Sequence, residues 1–257
     1  MSSGPLSGRG IVITRPCEHA LPLAELIRSA GGNPVLFPTI EILPAENREA
    51  VSNLIAGLDS YDLAIFISPT AVMQGLGLVN ASRIWPASLR VAAVGAGTAK
   101  ALQQRGFEAV IAPEIQADSE ALAALPELQD LRERSVVIFR GQGGREWLRT
   151  VLEDRGARVD YAECYRRVRP TRDPGSLLAL WQRGAIEAAS IASAEGLQNF
   201  FEMLGPTGRG YLRVTPVFVP HPRIAQAAEK LGVRQVLVTG RGDDRTVAEM
   251  AAFFARV

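Results

Sequence analysis

In chains that alternate strand and helix, ligands bind beyond the carboxyl ends of the parallel strands, so the residues at those ends carry the chemistry. Here they are Thr14-Arg15, Ser68, Gly95 to Thr98, Arg140 to Gly144, Ser193, Pro220-His221 and Thr239 to Arg241. The set is rich in glycine, hydroxyls and arginine, and poor in acids. Guanidinium forks, hydroxyls and backbone N–H groups suit a ligand with several carboxylates or phosphates. The same residue types also serve as helix caps and turns, so no single one is diagnostic.

One stretch concentrates these features. Val136 to Arg140 is an apolar run that reads as a buried strand, followed by the loop Gly141-Gln142-Gly143-Gly144. Trp147, Leu148, Val151 and Leu152 recur with helical period, and Arg155-Gly156 closes that helix. Arg158 to Tyr165 reads as the next strand. Strand end, glycine loop and helix start are expected to form a concavity of unpaired backbone N–H groups, which favours anions. Tyr165 ends its strand as either a core residue or a phenolic proton donor.

Several familiar sites are missing. No GxxxxGK[ST] phosphate loop occurs, and Gly95-Ala96-Gly97 lacks the third glycine of a dinucleotide fingerprint. His19 and His221 are the only histidines, too few for a histidine metal cluster, and no GxSxG elbow is present. His221, between two prolines, reads as a structural or ligand-contact residue rather than a general base. Arg241-Gly242-Asp243 reads as a loop. Cys17 and Cys164 sit in apolar contexts without CxxC spacing and are expected to be small buried thiols.

The elements that position these residues run through the whole chain. Its 257 residues suffice for two ordinary domains, and 47% hydrophobic content allows a core without disulfides or metal. A net charge of +1 supplies no bulk field for nucleic acid or membrane, so anion binding must be local. Met1 to Gly10 has no apolar segment of the signal-peptide kind, and no run of 18 apolar residues spans a membrane. These features read as a soluble cytoplasmic protein.

Strands are expected at Ile11–Arg15, Val35–Ile42, Leu63–Ile67, Val91–Val94, Ala109–Ala112, Val136–Arg140, Arg158–Tyr165, Ala188–Ala192, Val217–Val219 and Val236–Thr239, with helices between them. This is the pattern of an α/β parallel sheet. Four blocks recur at an offset of 125 positions, pairing Arg15 with Arg140, Gly31 with Gly156, Ser68 with Ser193 and Val94 with Val219. A common offset implies an internal duplication.

IVITRP with LAELIRSAGGNPVLFPTIEI, then YDLAIFISPTAV, AAVGAGTAKAL, the Arg140-Gly141 loop, ECYRR and SIASAEGLQNF resemble, in order, the motifs of the uroporphyrinogen-III synthase family. The resemblance covers nearly the whole chain. It implies two flavodoxin-like parallel-sheet α/β domains joined by a two-stranded linker, with the active site in the cleft between them. It divides the chain into a discontinuous domain of 1–37 plus 169–257, a domain of 43–162, and linkers 38–42 and 163–168.

It further implies a cyclising lyase of haem biosynthesis that needs no cofactor and no metal. Its substrate is hydroxymethylbilane, a linear tetrapyrrole with eight carboxylates, closed with loss of water and inversion of the last pyrrole ring. Tyr165 matches the family's tyrosine and is assigned proton donation to the leaving hydroxyl. Thr14, Arg15, Ser68, Gly95, Thr98, Arg140, Gly141, Ser193 and His221 are the candidate substrate contacts. Pro220-His221-Pro222-Arg223 departs from the family pattern, and Ser193 lacks the proline that follows Ser68. A monomer is expected, with transient contacts to neighbouring pathway enzymes at most. The alternatives are a non-catalytic two-lobed sensor of an anionic small molecule and a nucleotide-sugar transferase.

Overall fold

The computed structural model describes residues 4–114 and 118–256. Residues 1–3 of the Met1 to Gly10 segment and residues 115–117 of the expected 43–162 domain lie outside that range. The elements run β1 (Gly10–Ile13), α1 (Cys17–Ser29), β2 (Asn33–Leu36), β3 (Glu41–Pro44), α2 (Arg48–Ala56), β4 (Leu63–Phe66), α3 (Pro69–Asn80), β5 (Arg90–Ala93), α4 (Ala96–Gln103) and β6 (Val110–Ile111). Then come α5 (Ser119–Ala123), β7 (Ser135–Gly141), α6 (Trp147–Asp154), β8 (Arg158–Val168), α7 (Gly175–Gln182), β9 (Ala188–Ser190), α8 (Ala194–Met203), α9 (Gly205–Val214), β10 (Val217–Val219), α10 (Pro222–Lys230), β11 (Val236–Val238) and α11 (Asp243–Phe254).

By their contacts the residues group into two units, Met1–Glu41 with Val168–Val257, and Ile42–Arg167. The first holds a sheet of order β11-β10-β9-β1-β2 and the second one of order β3-β8-β7-β4-β5-β6. Strands buried on both faces read as continuous apolar runs. Ile11 and Ile13 of β1 join the core beneath α1 and α11, while Val12 joins the core beneath α7 to α10. In the second unit Ala64 and Phe66 pack beneath α2 to α4, and Leu63 and Ile65 pack against α5 and α6.

The duplication is visible in both sheets. Matching β1 to β7, β2 to β8, β9 to β4, β10 to β5 and β11 to β6 makes the two strand orders identical, with β3 added outside β8. Register agrees as well: Ile11 pairs with Pro34 and Ala188, and Val136 with Val159 and Leu63. One correction is needed. Ala64 pairs with Val91, whereas Ala189 pairs with Val217, so β10 and β11 follow their counterparts by 126 positions rather than 125. One residue is inserted between β9 and β10, and Gly95 therefore corresponds to His221, not Pro220.

Other expectations also change. The single strand Val35–Ile42 is two strands, because Phe37 to Ile40 carries no ladder. Pro38 has no N–H to give, and the Thr39 N–H turns to the carbonyl of Thr14, just past the end of β1. The glycines of helix α9 weaken its helical propensity, so the local sequence pattern alone assigns no second helix between β9 and β10. It forms because Leu212 and Tyr211 join the core and Gly208 lets the chain lie against Leu204 and Leu178. Cys164 is buried as expected, and burial pushes its thiol up to about 12. Cys17 is exposed instead. It opens α1, one residue before the exposed Glu18, while Ala20, Leu23, Ala24 and Ile27 form the buried stripe.

Candidate active site

Tyr165 lies near the end of β8, only 3% exposed. Its placement comes from a register shift. Arg140 pairs with Glu163, but Gly141 pairs with Tyr165, so Cys164 is the extra residue. Strict alternation would send Cys164 and Tyr165 to opposite faces. Both belong to the core cluster of Phe66 and Phe139. Such irregularities re-aim a side chain at a functional edge.

Three groups hold the tyrosine. Its carbonyl accepts from the Gln142 N–H at 2.7 Å. Its ring lies on Gly141, where a Cβ would come within 2.7 Å of Cε2, so no larger residue fits without displacing the ring. Its hydroxyl is 3.2 Å from Ser68 Oγ. Ser68 is the N-cap of α3, its Oγ accepting from the Ala71 N–H at 3.1 Å, with Pro69 following as the sequence suggests.

Arg140 is equally enclosed, at 3% exposure. Its guanidinium donates to the carbonyls of Gly141 and Gly143, meets Glu146 Oε1 at 3.1 Å and stacks 4.2 Å from the Tyr161 ring centroid. Burial pushes the Tyr161 phenol up to about 12, with Glu146 adding to the rise and Arg140 opposing it. The Tyr161 oxygen has no hydrogen-bond partner of good geometry.

A cavity of about 320 Å³ joins these residues. Ser68, Arg140, Gly141 and Tyr165 line it, together with Gly143, Gly144, Arg145, Tyr161 and Arg167. Sequence reasoning did not single out Arg145, Tyr161 or Arg167. Their signal was proximity: Arg145 follows the glycine loop, and Tyr161 and Arg167 bracket Tyr165 on one strand. Arg145 is held by Glu120 Oε1 at 2.5 Å.

The glycine loop departs from expectation. Its amides are not an open cradle, because the Gln142 N–H goes to Tyr165 and the Gly143 N–H meets Glu163 Oε1 at 3.2 Å. Strand β8 runs past the end of β7 and supplies both acceptors. Helix α6 begins only at Trp147, so its first turn is separate from the loop.

The remaining expected contacts are placed differently. Gly95 is the N-cap of α4, and Thr98 is buried in that helix's first turn; neither lines the cavity. In the other unit the Thr14 hydroxyl is buried and donates to the Ser190 carbonyl at 3.0 Å. Arg15 pairs with Asp243 at 2.6 Å, its Nε buried without a partner. Ser193 caps α8 through the Gly196 N–H at 3.0 Å. His221 is exposed and caps α10, Nδ1 accepting from the Arg223 N–H at 3.1 Å. Among the described residues no group of three or more His, Cys, Asp or Glu is arranged to hold a metal ion, and no helix is long and apolar enough to cross a membrane.

Residues 22–244 match the family model described as uroporphyrinogen-III synthase HemD. The uroporphyrinogen-III synthase of Salmonella typhimurium is 32% identical over 91% of this chain and 96% of its own length. That of Escherichia coli K12 is 30% identical over the same shares. A crystal structure of a mutant uroporphyrinogen III synthase from the extremely thermophilic bacterium Thermus thermophilus superposes with a TM-score of 0.62 at 19% identity, over 97% of this chain and all of that one. The Helicobacter pylori 26695 enzyme gives 0.57 at 15% identity, over 95% and 99%. The two structures attest the fold; the family model and the relatives, matched along almost the full length, attest descent, and the chain belongs to the uroporphyrinogen-III synthase family.

Proposed function

We propose that this protein converts hydroxymethylbilane to uroporphyrinogen III, with loss of water and inversion of the last pyrrole ring. The observation that carries the reading is family membership along nearly the whole chain, with the motif tyrosine standing in a cavity beside Ser68, Arg140 and Gly141. Tyr165 donates its proton to the departing hydroxyl. The pyrroles supply the electrons that expel it, leaving a delocalised cation, so the protein needs little further acid–base machinery. Its main task is to hold the chain in one ring-closing pose, which directs closure to the substituted carbon of the last ring.

Arg145 and Arg167, on the cavity wall, are the cationic partners for substrate carboxylates in this reading, and Arg140 holds the loop that carries the site. Thr14, Arg15, Gly95, Thr98, Ser193 and His221 are further contacts in this reading, the hydroxyl-bearing ones acting largely through neighbouring backbone. The protein works as a cytoplasmic monomer without cofactor or metal, passing product to other enzymes through transient contact at most.

The test is incubation with hydroxymethylbilane, followed by oxidation and separation of the uroporphyrin isomers. Isomer III formed faster than spontaneous closure supports the reading. Only the non-inverted isomer, at the spontaneous rate, overturns it.

A further inference from the structure

Two hydroxyls share one hydrogen bond in the cavity, and the direction of that bond decides whether Tyr165 can give up its proton. If the phenol donates to Ser68, its hydrogen is engaged with the protein. If Ser68 donates, the phenol hydrogen is left for the substrate. Ser68 Oγ already accepts from the Ala71 N–H at 3.1 Å, which fixes its rotamer at the head of α3. From that fixed position its own hydrogen reaches Tyr165 Oη at 3.2 Å.

We propose that Ser68 is a positioning residue for Tyr165. It donates to the phenol oxygen, turns the phenol hydrogen toward the cavity, and stabilises the phenolate left after proton transfer. This rests on the proposed cyclisation and assigns Ser68 a role other than substrate contact. The positive end of α3 lies one hydrogen bond from Oη and favours charge developing there. Gly141 under the ring and the Gln142 N–H on the carbonyl keep Oη from drifting away.

The proton count closes. Tyr165 Oη–H passes its proton to the substrate hydroxyl. The carbon–oxygen bond breaks with its electron pair going to oxygen, and water leaves a cation. Carbon–carbon closure at the substituted carbon of the last ring moves the positive charge onto that ring. Its original bond to the neighbouring methylene breaks, and the methylene carbon rejoins the ring at its free carbon. The proton lost from that carbon as the pyrrole regains aromaticity restores the phenol. Ser68 keeps its own hydrogen throughout.

Four variants separate this role from capping. Ser68→Ala is expected to lower kcat about three- to tenfold, the range of one neutral hydrogen bond, with KM within about twofold. Ser68→Thr keeps cap and donor and is expected to restore kcat. Ser68→Asp keeps the cap, and hence Tm, but offers only an acceptor, so kcat stays low. In a Tyr165→Phe background Ser68→Ala is expected to cost nothing further, because the oxygen it serves is gone. An equal loss in both backgrounds, or a rise in KM at unchanged kcat, overturns the proposal.

A substrate-free readout keeps this result distinct from failure of the cyclisation reading. In 13Cζ-tyrosine NMR at fixed pH the Tyr165 resonance is expected to move in Ser68→Ala and to stay in place in Ser68→Thr, because only the first loses the hydrogen bond to Oη. A resonance unmoved by Ser68→Ala refutes the hydrogen bond whatever the enzyme makes.

Discussion

The two units are copies of one sheet whose opposite edges have had different fates. At the amino ends of the strands the copies still agree in detail. Arg9 pairs with Glu187 in one, and Arg134 with Asp62, at equivalent positions, in the other. The Leu6 N–H meets the Ala30 carbonyl as the Leu131 N–H meets that of Arg155. Gly31 and Gly156 take the same positive φ, 87° and 89°.

At the carboxyl ends only the caps agree, Ser68 on α3 and Ser193 on α8. There Tyr165 stands opposite Ile40, Gly141 opposite Pro16 and Gly95 opposite His221 in the alignment of the two copies. Arg15 and Arg140 both persist but bind different acids, Asp243 and Glu146. Contacts that hold the sheet together were kept in both copies. The edge where a parallel sheet meets ligand diverged, and only one copy there carries a phenol.

Substitutions at matched positions probe that contrast. The largest effect is expected from Tyr165→Phe, which lowers turnover by roughly one to two orders of magnitude, the contribution of a general acid. Its counterpart Ile40→Val loses only packing, about 0.5–1.5 kcal/mol in denaturant melts, with turnover near wild type. Equal loss of turnover in the pair would mean that the two edges are functionally alike.

Gly141→Ala comes next. The added methyl meets the Tyr165 ring at 2.7 Å, so overpacking costs about 1–3 kcal/mol and turnover falls as the hydroxyl moves off Ser68. Wild-type stability and turnover together would show that the ring is not gripped there.

The two caps sharpen the comparison from its conserved side. Ser68→Ala and Ser193→Ala are each expected to cost about 1 kcal/mol of stability, read from the same melts, since each removes one oxygen from a helix start. Their capping losses should match, while only the Ser68 variant moves the Tyr165 13Cζ resonance.

The smallest effect concerns acid. The Ser135 N–H holds the Asp62 carboxyl below its ordinary 3.8 against the opposing effect of burial, with Arg134 adding to the lowering. A lowered folded value means that its stabilisation is full above 3.8 and lost as pH falls through the folded value. Asp62→Asn is therefore expected to lower Tm slightly at pH 7, with the two melting curves converging below about pH 4. A difference that persists in acid would assign the effect to something other than this charge.

Much of this was readable in the chain itself. Apolar runs such as Val136 to Phe139 and stripes such as Leu148 and Leu152 specify buried strands and one-faced helices through local geometry alone. Ser68-Pro69 and Gly156 announce helix limits because their backbone preferences are intrinsic. The duplication followed from spacing, and the family from ordered motifs.

The site was decided elsewhere. Whether Cys164 or Tyr165 faces Ser68 depends on a one-residue shift between β7 and β8, set by pairing between strands and not by either strand's composition. The glycine-loop amides were expected to be open, but a longer neighbouring strand engages two of them. Local sequence determines which element forms, since φ, ψ and side-chain period are properties of a few residues. Which donor meets which acceptor at a strand end depends on contacts between distant segments, and those exist only once the sheet has closed.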